Sequence, residues 1–277
     1  TYVTHDENNP NSLSANNVKS IILTQSGNFW IGTHEGGLNF LNPNKLPFMF
    51  EHFINIPEDS TSLSNDRVIS LYEDYKNDIW IGTSGGGLNV INTKTKRFKR
   101  FPEITKLVGL HIFTISKSIE KDILYIGGDK GLAKINVNNY NITPIYYKQE
   151  IKESYTTNPT LFVYEDPSKN LWIGTEGSGL YYYNTTTNKS QKYGLRQGLP
   201  NEVVYTILPD ESNNLWLSTN DGLSSFNLTS KLFKNFDTSD GLVGTEFNYG
   251  SCLKLQNGDL MFGGANGLNF FNPTEIV

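Results

Sequence analysis

Short bursts of alternating apolar and polar residues run the length of this chain, and they come in sets of four. The first burst of a set reads VKSIILT (18–24), VISLYED (68–74) or VYTILPD (204–210). A turn rich in Gly, Asn and Asp follows, as in QSGN, YKND, PSKN, ESNN and QNGD. Next come a run of the FWIGT type, a glycine-rich turn and a run of the LNFLN type. FMFEHFI, RFKRF, PIYYK and KLFKNF close their sets. Alternation with period two predicts strands that bury one face, and the evenly spaced turns predict antiparallel hairpins. No segment keeps a 3.6-residue period over the ~11 residues of an average helix. Each set therefore predicts a four-stranded antiparallel sheet.

Six sets are present, with cores at 28–42, 78–92, 122–136, 170–184, 214–227 and 259–272. Trp30, Trp80, Tyr125, Trp172, Trp216 and Met261 align, at spacings of 50, 45, 47, 44 and 45 residues. That period belongs to propeller blades. The fold class expected is all-β: one β-propeller of four-stranded antiparallel blades over residues 1–277, six repeats counted. The aromatic of the second strand supplies a plate to wedge between neighbouring sheets. The glycine two residues on (Gly32, Gly82, Gly127, Gly174, Gly263) leaves room for a close neighbour. Thr33, Thr83, Thr175 and Thr219 stand where a hydroxyl can hold a turn. Residues 1–18 align without a gap on 51–68, so Tyr2–His5 is expected to be a fourth strand, completing the last blade and removing open edges.

The pattern V-x-x-I…D-x-x-G-N-x-W-I-G-T-x-x-G-G-L-N resembles the two-component-regulator propeller repeat of hybrid two-component sensors from glycan-degrading gut bacteria. The residues that carry it are VKSIILTQSGNFWIGTHEGGLNFLNP, VISLYEDYKNDIWIGTSGGGLNVIN and FVYEDPSKNLWIGTEGSGLYYYN, with the linker NPNSLSANNV. The last repeat, GLVGTEFNYGSCLKLQNGDLMFGGANGLNFFNPTEI, is similar to the blade that ends such arrays. The third copy departs most, with Tyr125 and Gly128 where others have Trp and Thr. The resemblance implies a piece of a longer periplasmic receptor that senses an oligosaccharide. Binding would be relayed to a histidine kinase phosphorelay controlling glycan-utilisation genes. Its implied partners are a companion propeller, an immunoglobulin-like domain and a second copy in a homodimer. No kinase residues occur in these 277 positions.

Composition narrows the functions further. The net charge is −5, so no basic face for nucleic acid is expected. One cysteine, Cys252, excludes an intrachain disulfide. No apolar run approaches the ~20 residues of a membrane helix, and no metal or cofactor motif stands out. Ligand chemistry is expected on the face that holds the turns between second and third strands, together with the linkers leading into first strands. Candidates on the linkers and first strands are Asn17, Arg67, His111, Asn158, Glu202, Phe247, Asn248 and Tyr249. His34, Glu35 and Glu176 stand on the turns. Amide, guanidinium and carboxylate groups suit sugar hydroxyls, with Phe247 and Tyr249 as stacking faces. A lyase or glycosidase using carboxylates at 35, 176, 202 and 221 is the alternative, and a protein-interaction scaffold is another. The Tyr181-Tyr182-Tyr183 run is expected mostly in blade packing.

Overall fold

The computed structural model describes residues 3–147 and 159–276. The fold is an all-β propeller of six blades, as the repeat predicts; among the described residues five blades hold four antiparallel strands and the sixth holds three. The residues form two compact units, Thr1–Pro144 and Ile145–Val277, with blades 1 to 3 in the first and 4 to 6 in the second. Blade 2 is typical: Val68–Glu73, Ile79–Thr83, Leu88–Asn92 and Arg97–Arg100 in sequence order across the sheet.

The invariant letters of the repeat do mechanical work inside each unit. In the first, Trp30 of blade 1 is buried with Val68, Ile79, Ile81, Ile91 and Phe98 of blade 2. In the second, the Trp172 ring lies 5.6 Å from Phe226 and the Trp216 ring 4.9 Å from Phe271, each in the next blade. Three of the tryptophans donate their indole N–H to an aspartate six residues earlier: Trp80 to Asp74, Trp172 to Asp166 and Trp216 to Asp210. A buried indole N–H needs such a partner. Glycine follows because the next chain is in contact. A Cβ at Gly174 would stand 2.6 Å from the Val204 carbonyl oxygen of the adjoining blade. The threonine hydroxyls hold the turns as expected: Thr33, Thr83, Thr175 and Thr219 donate to the carbonyls of Gly37, Gly87, Gly179 and Gly222 at 2.8–3.1 Å.

Those four glycines also tie blade to blade. All have positive φ. Their N–H groups donate to the linker ahead of the following blade: Gly37 to Asp66, Gly87 to Leu110, Gly179 to Glu202 and Gly222 to Thr245. The left-handed backbone that glycine permits is what turns the N–H toward the neighbour. The Ser-Leu-Ser linkers work similarly. Leu13 and Leu63 are buried, while Ser14 and Ser64 exchange hydrogen bonds with Asn39 and Asn89 of the third strands.

Two features differ from expectation. Tyr2–His5 does not form the closing strand among the described residues: Val3–His5 lie in no strand, and Thr1 and Tyr2 fall outside the description. The register accounts for Thr4 and His5. His5 N–H donates to Asn16 just as Asn55 N–H donates to Asp66, so His5 matches Asn55. The strand in that copy is Phe50–Phe53, already finished two residues earlier. The second difference is a helix, Pro102–Val108, in the linker between blades 2 and 3, with Ile104 and Val108 fully buried. Proline at its start suits a first helical turn. At seven residues it is too short to show a period in the sequence.

Candidate functional site

Every first strand begins with a β-bulge, and the bulge builds the candidate face. In blade 5, Val204 pairs with Thr219 and Thr206 with Ser218, which leaves Tyr205 as the extra residue. Lys19, Ile69, Phe113 and Leu161 hold the same place in blades 1 to 4. Blade 6 carries a larger irregularity. Phe247 pairs with Gly264, and the next pair is Cys252 with Phe262, so three extra residues are accommodated across Asn248–Ser251. Bulges re-aim side chains and are frequent beside functional sites.

The same registers locate the residue just ahead of each first strand. It is Asn17, Arg67, His111, Pro159, Val203 and Glu246 in turn. Backbone bonds confirm the equivalence, with His34 N–H donating to Asn17, Ser84 to Arg67, Asp129 to His111, Glu176 to Pro159 and Ala265 to Glu246. Asn17, Arg67 and His111 were therefore placed in register by the sequence. Glu202 is one residue early and Phe247 one residue late. Asn158, also one residue early, lies outside the described residues.

The consequences are chemical. Phe247 corresponds to Val68 and Val204, is buried, and meets Phe262 edge-on at 6.4 Å; it offers no stacking face, which corrects the expectation for it. Glu202 turns back toward the outermost strand of blade 4, where its carboxylate sits 2.8 Å from Lys192 Nζ. That carboxylate, named among four for the enzymatic alternative, is thus held by a lysine of the neighbouring blade. Tyr181, Tyr182 and Tyr183 are all engaged, with Tyr147, Trp172 and Asn188 respectively.

In the first unit, Asn17, Glu35, Arg67 and His111 are exposed and His34 is half-buried. His111 Nδ1 lies 2.8 Å from Ser84 Oγ, and its ring stacks loosely on Phe113. Among the described residues no carboxylate partners that ring in the way a catalytic triad requires: Asp129 accepts instead from the His111 backbone N–H.

The second unit holds the denser cluster. Tyr249, raised on the blade 6 bulge, donates its hydroxyl to Glu176 Oε1 at 3.0 Å. Its ring meets Tyr205 edge-on at 4.9 Å, and Tyr205 donates to Asn220 Oδ1 at 2.6 Å. Burial and then the Glu176 charge hold the Tyr249 phenol well above the ordinary tyrosine value. Burial raises Tyr205 as well, with Glu176 and Glu246 adding to it against the bond to Asn220. Asn248 is exposed beside this group. Tyr205, Asn220 and Glu246 were absent from the sequence-derived set. Tyr249 remains 43% exposed. Burial pushes the Cys252 thiol up to about 12, far from a reactive thiolate. Among the described residues no His, Cys, Asp and Glu group could hold a metal ion.

Residues 12–35, 62–85 and 198–221 match the family described as two component regulator propeller. The chain is 31% identical over 159 residues to Histidine kinase P4 of Formosa agariphila, covering 56% of this chain but only 12% of that protein. Among solved structures it is similar to the extracellular domain of BT3049 of B. thetaiotaomicron, assigned to the hybrid two-component systems. The TM-score is 0.75 at 21% identity, over 97% of this chain and 35% of that one. PorZ of Porphyromonas gingivalis, a component of the type-IX secretion system, gives 0.65 at 16% identity, over 93% of this chain and 38% of that one. Virginiamycin B lyase from Staphylococcus aureus gives 0.62 at 12%, over 92% and 84%. At these identities the structures share the fold. A sensor, a secretion component and an enzyme all use it, so function rests on the site.

Proposed function

We propose that this propeller is the ligand-sensing part of a hybrid two-component receptor and that it detects an oligosaccharide on the turn face of its second unit. The propeller repeats and the likeness to a histidine kinase support the receptor reading. In this reading the domain stands at the periplasmic face of the inner membrane, and occupancy is passed to a histidine kinase phosphorelay that controls glycan-utilisation genes. A companion propeller and an immunoglobulin-like domain of the same receptor complete it, and the receptor works as a homodimer.

The observation that carries the ligand assignment is the Tyr249 ring, exposed yet fixed by Glu176 and Tyr205. A rigid aromatic plate packs on the apolar face of a sugar ring, while Glu176, Asn220 and Asn248 present acceptors or amides for its hydroxyls. Binding is favoured over catalysis because Glu202, one of the four carboxylates named for the enzymatic alternative, is engaged by Lys192. A panel of plant, algal and host oligosaccharides screened by thermal shift tests the proposal. A ligand at 100 times its Kd stabilises by about 2.7 kcal/mol. Tyr249→Ala is expected to weaken that ligand by about tenfold or more, a loss of about 1.4 kcal/mol. A panel without any stabilising sugar, or a ligand indifferent to Tyr249→Ala, would reject the assignment.

A further inference from the structure

Around the turn at Ser84 and Gly85 of blade 2, hydrogen-bond donors outnumber the acceptors left to serve them. Ser84 stands between two residues that lead into first strands. Its backbone N–H donates to the Arg67 carbonyl at 2.8 Å, and its Oγ lies 2.8 Å from His111 Nδ1. The Arg67 N–H is fixed in turn by Asn65 Oδ1 at 2.9 Å, and the His111 N–H by Asp129 Oδ1 at 3.0 Å. The Leu110 carbonyl accepts from both Gly85 and Gly87. Each acceptor therefore serves the backbone or the His111 ring.

Three groups around the turn have no hydrogen bond or ion pair among the described residues: the Asn65 amide nitrogen, the Arg67 guanidinium and His111 Nε2. Arg100 shows what a structural arginine looks like in this fold. It is half-buried, and its Nε and Nη2 donate to the carbonyls of Ser62, Asp59 and Leu63 at 2.9–3.1 Å. Arg67 is exposed instead, with its fork of donors unused. Gly85, at φ +115°, leaves the turn uncovered; a Cβ there would meet only the Asn65 amide, at 3.3 Å.

The charges at equivalent positions agree. In the first unit Asn17, Arg67 and His111 stand ahead of the first strands and Lys19, Ile69 and Phe113 on the bulges, with no carboxylate among them. In the second unit the same places hold Pro159, Val203 and Glu246, with Leu161 and Tyr205 on bulges, and no cation. Of the carboxylates beside the turn, Asp66 accepts from the Asn55 N–H and Asp129 from the His111 N–H.

We infer that Asn65, Arg67 and His111 form a site in the first unit for an oxyanion group, a carboxylate or a sulfate, carried by a small soluble ligand. The planar guanidinium meets two oxygens of the group side by side. The anion selects the state of His111 in which Nε2 carries a proton, with the Ser84 hydroxyl donating to Nδ1 or with the ring as imidazolium. The site shares no residue with the Tyr249 cluster and does not rest on what that cluster binds.

Calorimetric titration of the full chain tests this. The probes are trigalacturonate, with its methyl ester as the neutral control, and galactose 6-sulfate, with galactose as the control. At least one acidic probe is expected to bind with a Kd of about 1 mM or lower, and its control at least about tenfold more weakly. Arg67→Ala should weaken the acidic probe about tenfold or more, and His111→Ala about threefold or more. Arg67→Lys keeps the charge and loses the fork, so its affinity should fall between Arg67→Ala and the wild type. Arg97→Ala, which removes an exposed arginine from the outer strand of blade 2, should leave the affinity unchanged. These side chains are exposed, so every variant should unfold at the wild-type temperature. Tighter binding of trigalacturonate assigns a carboxylate and tighter binding of galactose 6-sulfate a sulfate ester; either bears the inference out. Failure of both acidic probes, equal binding of the neutral controls, or an affinity that survives Arg67→Ala overturns it. Equal losses at Arg67 and Arg97 would reduce the effect to general charge and overturn it too.

Discussion

Blades 5 and 6 are adjacent copies of one template, and they diverge at both ends of the sheet. Blade 5 has a one-residue bulge at its inner strand and a complete outer strand. Blade 6 has three extra residues at the inner strand and no outer strand among the described residues. The middle of the sheet is the same in both, with Leu215 matched by Leu260 and Leu217 by Phe262, all fully buried. Divergence is thus concentrated at the two ends of the sheet, together with the change from Trp216 to Met261 at the plate position. The inner change raises Tyr249 toward Glu176. A repeat can acquire function at its inner rim because its core pairings tolerate little else.

The largest test of this contrast concerns the plate position. Trp216 is 3% exposed, stacks on Phe236 and reaches Phe271, and its indole N–H is held by Asp210. Trp216→Ala should cost about 3–5 kcal/mol through the cavity and the orphaned carboxylate. Met261 occupies the same place in blade 6, but its neighbours Leu253 and Phe270 are more than half exposed. Met261→Ala should cost only about 1 kcal/mol, since little apolar surface is lost from the interior. Denaturant unfolding of both variants measures the gap. Equal losses would mean that the blade 6 face is packed, and the contrast would fail.

A smaller effect separates the two tyrosines. Tyr249 and Tyr205 both have phenols raised by burial first and by Glu176 after it. A tyrosine that titrates higher when folded than when unfolded is kept neutral by the fold. Its contribution is complete below pH 10, the value for an unfolded tyrosine, and is lost as the pH climbs from there toward the folded value. Stability of the second unit should therefore decline above pH 10. Tyr249→Phe should soften that decline and cost about 1 kcal/mol at neutral pH through the bond to Glu176. A variant whose stability falls with pH as steeply as the wild type would remove Glu176 from the account.

Much of this architecture could be read from letters alone, for a physical reason. Trp, Gly and Thr recur because blade contacts demand a plate, a gap and a hydroxyl, and each demand selects one residue type. The aspartate six residues before the tryptophan was equally visible, yet Asp74, Asp166 and Asp210 look like ordinary turn formers until their indole partners are seen. The glycine-to-linker bonds were invisible because they join backbone groups, whatever the side chain of Asp66 or Thr245. Site residues were harder still. A bulge inserts one residue and reverses the inside-outside alternation beyond it. Reading through it without coordinates moved the choice from Val203 to Glu202 and from Glu246 to Phe247. Tyr249 is named from sequence only as an aromatic stacking face beside Phe247, and Tyr205 is not named because nothing in the letters marks its one-residue bulge.

The smallest effect tests the register itself. If Glu202 belongs to the outer strand of blade 4 rather than to the ligand face, its charge matters to Lys192 Nζ, 2.8 Å away, and to the Leu195 N–H, 3.4 Å away. Both side chains keep contact with solvent, at 44% and 27% exposure, so water and salt screen the pair. Exposed pairs of this kind contribute about 0.2–1 kcal/mol. Glu202→Gln should therefore lower stability by no more than that, and the difference should shrink further in high salt. Its effect on oligosaccharide affinity should be nil, whereas Glu176→Gln, which loses the charge accepting the Tyr249 hydroxyl, should weaken binding measurably. Calorimetric titration of the two variants side by side distinguishes them. An affinity loss at Glu202 equal to that at Glu176 would return Glu202 to the ligand face, and the bulge register would no longer explain which carboxylates meet the sugar.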